Sequence, residues 1–358
     1  MTLNTKDATA FAEAIDQLMK VDVLGRGFID LAYPMARRRA GQSLIRNAGE
    51  RLNAELGRGE TPIVFIVTGA TSQRVGLPDW IGEMDGPPGA IALARTLALT
   101  HRAIPVLLTD PRQGDMLGKA AESVGLYRLP VADVRRQAKA TTHTTSIAIC
   151  EIPDNKAAAA EQAHALVAEL QPSAAVAIEK AGENEHGVFH NSQKMDTSAG
   201  KARADEVFRV CSAKGILTIG IGDGGNEIGM GAIKPELLKA FPDMATSHSA
   251  LRGSIIAEQA TDCLITATVS NWGAYALAAY MAYSADKPYA CHTPEREARL
   301  LDGCARAGYM HLDGFAYPGC DGLPAEVHVA FVRMLSTMVL WPPLKYGRAG
   351  YLRDMLPA

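Results

Sequence analysis

Beyond residue 62 the sequence alternates short, continuous apolar runs with longer stretches of helical periodicity. Such alternation is typical of βα units, which build parallel sheets covered by helices on both faces. The predicted strands are residues 63–68, 104–109, 146–150, 174–178, 216–221 and 263–269. The predicted helices are residues 88–101, 115–124, 156–170, 201–214, 234–241, 272–284, 294–307 and 324–338. The sequence therefore predicts an α/β fold, a mostly parallel sheet flanked by helices.

The first part of the chain has a different pattern. Residues 8–57 read as helical, and Ile15, Leu18 and Met19 fall on one face of a helix. We therefore expect a helical N-terminal extension over residues 1–60, followed by one α/β domain over residues 61–358.

Charge and cysteine usage exclude several classes of protein. The 36 Lys and Arg residues nearly balance 39 Asp and Glu residues, giving a net charge of −3, which argues against nucleic-acid and membrane-surface binding. The six cysteines form no CxxC pair and the N-terminus lacks a signal-peptide pattern, so we expect reduced thiols and a cytoplasmic protein. Because closed symmetric oligomers are common, we also expect a homo-oligomer.

One uncharged segment, residues 264–283, is long enough to span a membrane. Its middle, SNWG at residues 270–273, is a polar turn that would leave unsatisfied groups in lipid. We predict a buried strand, a turn and a helix there, and no membrane span.

Polar residues follow several of the predicted strands. Open α/β sheets bind ligands outside the carboxyl ends of their strands, so residues just after each strand are candidates for a site. These residues are Glu83 and Asp85 after the first strand, Glu179 and Lys180 after 174–178, Asp223, Asn226 and Glu227 after 216–221, and Ser270 and Asn271 after 263–269. Together they predict an acidic pocket at one edge of the sheet.

A glycine-rich segment raises the alternative of a nucleotide site. Residues 220–225 read GIGDGG and match GxGxxG after a strand. Asp223 and Glu227, however, would place two negative charges where a helix N-terminus should receive a pyrophosphate. We therefore expect no nucleotide cofactor. These acids, with Asn226, either face a cation or an ammonium group or cap a helix.

The acidic residues also suggest individual roles. Glu83 and Asp85 are either ligands of a hard cation such as Mg²⁺ or Mn²⁺, or solvated loop charges. Glu179 directly follows an apolar run, which favours a raised pKa and a role in acid–base chemistry. Lys180 or Lys194 could bind a substrate carboxylate.

Four stretches carry a resemblance to a known family. They are DGPPGA at residues 85–90, AIEKAG at 177–182 with Asn191 and Lys194 behind it, GDGGNEIGMG at 222–231, and SNWG at 270–273, with a weaker echo in DGLP at 321–324. In this order they resemble the D-glutamate cyclase family, namely the C-terminal domain of the mammalian mitochondrial enzyme and its microbial relatives.

The resemblance implies a hydro-lyase of D-amino acid metabolism that cyclises D-glutamate to 5-oxo-D-proline with loss of water. On this reading the catalytic residues are Glu179, Asp223 and Glu227. The substrate-binding residues are Lys180, Lys194, Asn191, Asn226, Ser270 and Asn271. A divalent metal, Mn²⁺ or Mg²⁺, would bind Glu83, Asp85, Asp223 and Glu227. The alternatives are a metal-dependent hydrolase or phosphatase using the same pocket, and a non-catalytic amino-acid or metal-binding protein.

Overall fold

The computed structural model describes residues 5–72, 81–140, 144–311 and 313–340. Within them the helices are α1 (Thr5–Met19), α2 (Phe28–Ala40), α3 (Leu44–Leu56), α4 (Pro87–His101), α5 (Gly114–Glu122), α6 (Val134–Ala138), α7 (Lys156–Leu170), α8 (Asp205–Ala213), α9 (Lys234–Ala240), α10 (Ser270–Ser284), α11 (Pro294–Ala307) and α12 (Ala325–Leu340). The strands are β1 (Ile63–Val67), β2 (Thr71–Ser72), β3 (Ile81–Gly82), β4 (Ile104–Thr109), β5 (Tyr127–Leu129), β6 (Ser146–Glu151), β7 (Ala174–Ile178), β8 (Leu217–Gly222), β9 (Cys263–Thr266), β10 (Gly319–Cys320) and β11 (Leu323–Pro324). The predicted α/β fold class is confirmed.

Seven strands form one parallel sheet in the order β5-β6-β4-β1-β7-β8-β9. The chain enters at β1, where Val64 pairs with Pro105 of β4 on one side and with Ala174 of β7 on the other. It builds the β4 side first and then returns to build the β7 side. The carboxyl ends of β1 and β7 therefore flank the crevice at which the chain changes direction, where open α/β sheets bind ligands.

Both faces of the sheet are covered, and this explains why β1 is apolar at every position. Val64 and Ile66 belong to a core that includes side chains of α1, α3, α4 and α10, whereas Phe65 and Val67 belong to a second core with α7 and α8. Successive side chains of a strand point to opposite faces, so a strand covered on both sides gives a continuous apolar run rather than an alternating one.

The N-terminal helices share the first of these cores. Phe11 and Ile15 of α1 are buried in it, and α3 packs against both β9 and α10. The predicted division at residue 60 stays a prediction, but the hydrophobic core extends across it.

Some elements differ from the sequence-based expectation. Strand β5 was not predicted because it is a three-residue edge strand whose Tyr127 is 68% exposed, so it has no apolar run. The predicted strand 263–269 ends at Thr266, since the chain then turns into α10 and the Thr268 N–H donates to the carbonyl of Met19. The uncharged segment 264–283 thus falls mainly on β9 and α10. No helix in the described part of the chain is long and apolar enough to cross a membrane.

The crossing of α3 and α10 gives a test of this packing. A Cβ at Gly49 would lie 2.2 Å from Cδ1 of Tyr280, whose ring is buried. We expect Gly49→Ala to lower the free energy of unfolding by about 1–3 kcal/mol through overpacking, although alanine favours a helix over glycine by about 1 kcal/mol. Urea denaturation measures the difference.

Gly59→Ala is the control for that variant, because a Cβ at Gly59 meets nothing within 4 Å. It should change the unfolding free energy by less than about 0.5 kcal/mol. A Gly49→Ala protein as stable as the control would contradict the close contact between α3 and α10.

Candidate active site

A cavity of about 1100 Å³ lies at the carboxyl ends of β1, β7 and β8. Its acidic lining residues are Glu83, Asp85, Glu179, Asp196, Asp223, Glu227 and Asp321. The lysine and arginine side chains that line it, among the described residues, are Arg26 and Lys201. The structure therefore brings acids from loops far apart in the sequence to the one crevice that the sheet topology provides.

Glu179 is the first residue after β7, and it forms part of the cavity wall. Its Oε2 accepts a 2.5 Å hydrogen bond from Oγ of Ser270 at the start of α10. Its backbone has φ = +48°, a left-handed conformation that costs a non-glycine residue about 1–3 kcal/mol. Burial, together with the nearby charges of Glu227 and Asp85, raises the pKa of Glu179 well above its ordinary range. This pKa shift favours a protonated carboxyl that can release and recover a proton.

The loop after β8 presents Asp223 and Glu227. The Glu227 carboxylate accepts hydrogen bonds from the N–H groups of Asp223, Gly224 and Gly225, at 3.3, 2.7 and 2.7 Å. Asp223 Oδ2 accepts from the N–H of Ser270 at 3.1 Å. Burial raises the pKa of both acids, and the charge of Glu179 raises that of Asp223 further. Backbone N–H groups thus hold the carboxyl groups of Asp223 and Glu227 in place beside Glu179.

Asp85 lies just before α4 and is held in a similar way. Its Oδ1 accepts from the N–H groups of Gly86 at 2.9 Å and of Asn271 at 3.3 Å. The Asn271 side chain in turn caps α4, since its Oδ1 accepts from the N–H groups of Gly86 and Gly89. Burial and the neighbouring charge of Asp321 raise the pKa of Asp85 to about 8.

Asp321 completes the acidic group, and it pairs with a cation from the N-terminal part of the chain. Its Oδ1 is 2.6 Å from Nη2 of Arg26, which lies on the loop between α1 and α2. Its Oδ2 is buried without a hydrogen-bond partner among the described residues. Burial raises the pKa of Asp321, and the Arg26 guanidinium opposes that rise. Like Glu179, Asp321 has a left-handed backbone, with φ = +51°.

These acids fit a divalent cation. Two groups of three acids each bring one carboxylate oxygen per residue within 4.8 Å of the others. The groups are Asp85, Asp223 and Asp321, and Glu179, Asp223 and Glu227. Asp223 belongs to both groups, and carboxylate oxygens are the ligands that hard cations prefer. The unpartnered Oδ2 of Asp321 is a further available ligand atom. Glu83, which the sequence suggested as a ligand, lines the cavity but belongs to neither group.

Comparison with known proteins places this chain in a family. A sequence profile described as D-glutamate cyclase-like, C-terminal, matches residues 15–336. The chain belongs to the D-glutamate cyclase-like family. It is also 29% identical over 242 residues to human mitochondrial D-glutamate cyclase, an alignment that covers 66% of this chain and 35% of the human protein. The alignment therefore spans about a third of the length of that relative. The resemblance recognised in the sequence is confirmed at the level of the family.

In this family member the two lysines predicted to bind substrate do not line the described cavity. Lys180 is 1% exposed, and its ammonium group donates to Asp110 and to the carbonyl of Gly69. Lys194 lies in a turn whose neighbours Gln193 and Met195 line the cavity. The geometry favours Lys201, a residue that sequence reasoning missed, as the lysine that faces a ligand.

The predicted polar residues have different positions. Asn191 and Asn226 both line the cavity, and the Asn226 amide donates to the carbonyl of His190 at 2.9 Å. Ser270 and Asn271 instead contact the acids directly, through Glu179, Asp223 and Asp85. These last two residues position the carboxylates, and the two asparagines on the wall are placed to contact a ligand.

Arg26, Lys201 and Asp321 were not assigned roles from the sequence. Arg26 and Lys201 lie in loops without a motif, and only the tertiary fold brings them to the cavity. Asp321 did carry a signal, because it opens the DGLP stretch that formed part of the family resemblance.

The raised pKa of Asp85 predicts how stability depends on pH without divalent cations. Between its ordinary value of 3.8 and about 8, the folded chain keeps a proton that the unfolded chain has released, so the free energy of unfolding falls as pH rises through this range. Asp85→Asn cannot ionise, and the fall should become shallower. We expect the melting temperature of the variant, relative to wild type, to be higher at pH 8 than at pH 5 by about 2 °C or more.

Asp302→Asn is the matched control, because Asp302 pairs with Arg306 on the exposed side of α11. Its effect on the melting temperature should be the same at both pH values. Parallel profiles for wild type and Asp85→Asn would contradict the pKa shift.

Proposed function

We propose that this chain is a hydro-lyase that cyclises D-glutamate to 5-oxo-D-proline with release of water. The observation that carries the proposal is Glu179, a strained and half-buried carboxyl with a raised pKa, in an acidic cavity of a D-glutamate cyclase-like protein. A carboxyl whose pKa is raised above its ordinary range is a stronger base and is better suited to take and return protons.

The charges of the cavity complement those of the substrate. D-Glutamate carries one ammonium group and two carboxylates. Asp85, Asp223 and Glu227 offer negative charge to the ammonium group, and Arg26 and Lys201 offer positive charge to the carboxylates. We assign Arg26 and Lys201 the carboxylate-binding role that the sequence suggested for Lys180 and Lys194.

The proton balance of the reaction requires a group such as Glu179. The substrate ammonium has three hydrogens and the lactam nitrogen keeps one, so two protons leave the nitrogen. The departing carboxylate oxygen needs two protons to leave as water. Glu179, hydrogen-bonded to Ser270, can deliver its proton to that oxygen and recover one from the nitrogen, once for each of the two protons. Asn191 and Asn226 can orient the chain of the substrate so that nitrogen and γ-carbon approach each other.

A divalent ion, Mn²⁺ or Mg²⁺, is part of the proposal. Asp85, Asp223, Glu227 and Asp321 would hold it. When bound, such an ion offsets the negative charge of a carboxylate and makes its carbon a better electrophile. Glu179 would still supply the proton transfers, and Arg26 and Lys201 the positive charge for the carboxylates.

The central test is turnover of D-glutamate by purified protein with Mn²⁺ or Mg²⁺, with 5-oxoproline measured by chiral chromatography. Glu179→Gln keeps the shape of the side chain but cannot carry the proton, so kcat should fall at least about 100-fold. Glu258→Gln is the control, because Glu258 pairs with Lys234 and does not line the cavity. Its kcat should stay within about twofold of wild type.

Other results would support the alternative functions. Release of phosphate from simple esters, with D-glutamate unchanged, would indicate a metal-dependent hydrolase. Stabilisation by D-glutamate without turnover, unchanged in Glu179→Gln, would indicate a binding protein. Equal activity of Glu179→Gln and wild type would contradict the role of Glu179.

The metal proposal makes a separate prediction. Mn²⁺ at 100 times its Kd should stabilise the wild-type fold by about 2.7 kcal/mol. Asp223→Asn should lose most of this stabilisation, because Asp223 belongs to both groups of ligand atoms, whereas Glu83→Gln should keep it. Thermal unfolding with and without Mn²⁺, together with elemental analysis after dialysis, measures the effect. Equal metal content in Asp223→Asn and wild type would contradict the assignment.

The cytoplasmic location and the homo-oligomeric state stay predictions. Size-exclusion chromatography with light scattering measures the latter directly.

A further inference from the structure

His311 lines the cavity but has no part in the chemistry described above. It lies beyond α11, on an extended segment held against β3, where the N–H of Met310 donates to the carbonyl of Gly82 at 2.9 Å and the N–H of Met84 donates to the carbonyl of Met310 at 3.0 Å. The imidazole is 7% exposed and stacks on the ring of Tyr317, with 4.7 Å between the ring centroids. Both its backbone and its ring are therefore fixed at the wall of the cavity.

The hydrogen bonds on one side of the ring determine its tautomer. Tyr317 Oη is 2.9 Å from Nδ1 of His311 and 2.9 Å from Oδ2 of Asp313. A tyrosine hydroxyl has one hydrogen, and a carboxylate only accepts, so Tyr317 donates to Asp313. Nδ1 must then carry a hydrogen and donate to Tyr317 Oη, since two lone pairs at that distance would repel each other.

When the imidazole is neutral, the other nitrogen is consequently an acceptor. A neutral imidazole has one N–H, so hydrogen on Nδ1 leaves a lone pair on Nε2. Nε2 of His311 is buried and has no hydrogen-bond partner within the described parts of the chain. A buried acceptor without a partner is costly unless a ligand supplies a donor.

We propose that His311 is a substrate-contacting residue whose Nε2 accepts a hydrogen bond from the ammonium group of the substrate. The proposal rests on the proposed cyclisation of D-glutamate. A lone pair attracts an N–H donor and repels a carboxylate, so it selects the amine end of the molecule. It adds a direction to the binding of the amine without adding another negative charge to the acids already present. Tyr317 and Asp313 are positioning residues that keep the lone pair on Nε2.

The test compares the binding of D-glutamate with that of glutarate, which has the same two carboxylates and no amine. We expect His311→Leu to weaken D-glutamate binding at least tenfold in calorimetry and to change glutarate binding less than twofold. His311→Gln, which retains an acceptor at a similar distance, should recover part of the loss. Equal weakening for both ligands would indicate a structural role and overturn the proposal.

Nitrogen-15 NMR of histidine-labelled protein provides an independent readout, with the His311 resonances assigned by their loss in His311→Leu. The wild type should show the Nδ1–H tautomer, Tyr317→Phe should show a mixture, and D-glutamate should shift the Nε2 resonance. An Nε2–H tautomer in the wild type, or an Nε2 resonance that saturating D-glutamate leaves in place, would overturn the proposal.

The two proposals can fail separately. Wild-type turnover of D-glutamate with undiminished D-glutamate binding in His311→Leu would overturn the role of His311 alone. If His311→Leu selectively loses D-glutamate binding but the wild type forms no 5-oxoproline, the cyclase reaction is overturned and the contact is supported. If wild type does not bind D-glutamate at all, both are overturned.

Discussion

Repulsion among buried carboxylates is the constraint around which this site is built. Parallel neighbours β1, β7 and β8 end at the same edge, so the acids that follow them cannot separate. These acids are Asp85, Glu179, Asp223 and Glu227, and Asp321 joins them from the turn between β10 and β11; burial raises the pKa of each. Such repulsion destabilises the folded chain. It is tolerated because the strands beneath are packed on both faces, and because backbone N–H groups, bound protons and Arg26 offset part of the charge.

The acids differ in what holds them, and this difference separates their roles. Glu227 accepts from three N–H groups, and Asp85 from two. An N–H can only donate, so it favours the ionised carboxylate and opposes protonation. Glu179 is bonded to a hydroxyl, which can donate to a carboxylate or rotate to accept from a carboxyl. The Glu179–Ser270 pair can therefore stay hydrogen-bonded in either protonation state, as a group that moves protons requires.

The sequence predicted those parts of the structure that follow from local pattern and sheet geometry. Buried parallel strands give continuous apolar runs, so β1, β4, β7 and β8 were recognised with small errors at their ends, and Glu179 and Asp223 were located because they directly follow strands. Lys180 also follows a strand, but its side chain is buried against Asp110 and does not line the cavity. Arg26 and His311 reach the cavity only through tertiary packing, which no local pattern encodes.

The charges of the cavity also restrict the class of ligand. A phosphate ester would bring only negative charge to a wall of carboxylates, and it could bind only after cations had neutralised them. An amino acid with two carboxylates brings its own ammonium group, and Arg26 and Lys201 come from different loops, so each can meet a separate carboxylate. Without such a ligand Arg26 pairs with Asp321, and a substrate carboxylate must compete with that ion pair. An ammonium group placed near Asp321 at the same time would compensate the negative charge that Asp321 regains when Arg26 leaves it. Without a bound divalent ion, the cavity therefore favours ligands that carry both signs of charge over purely anionic ones.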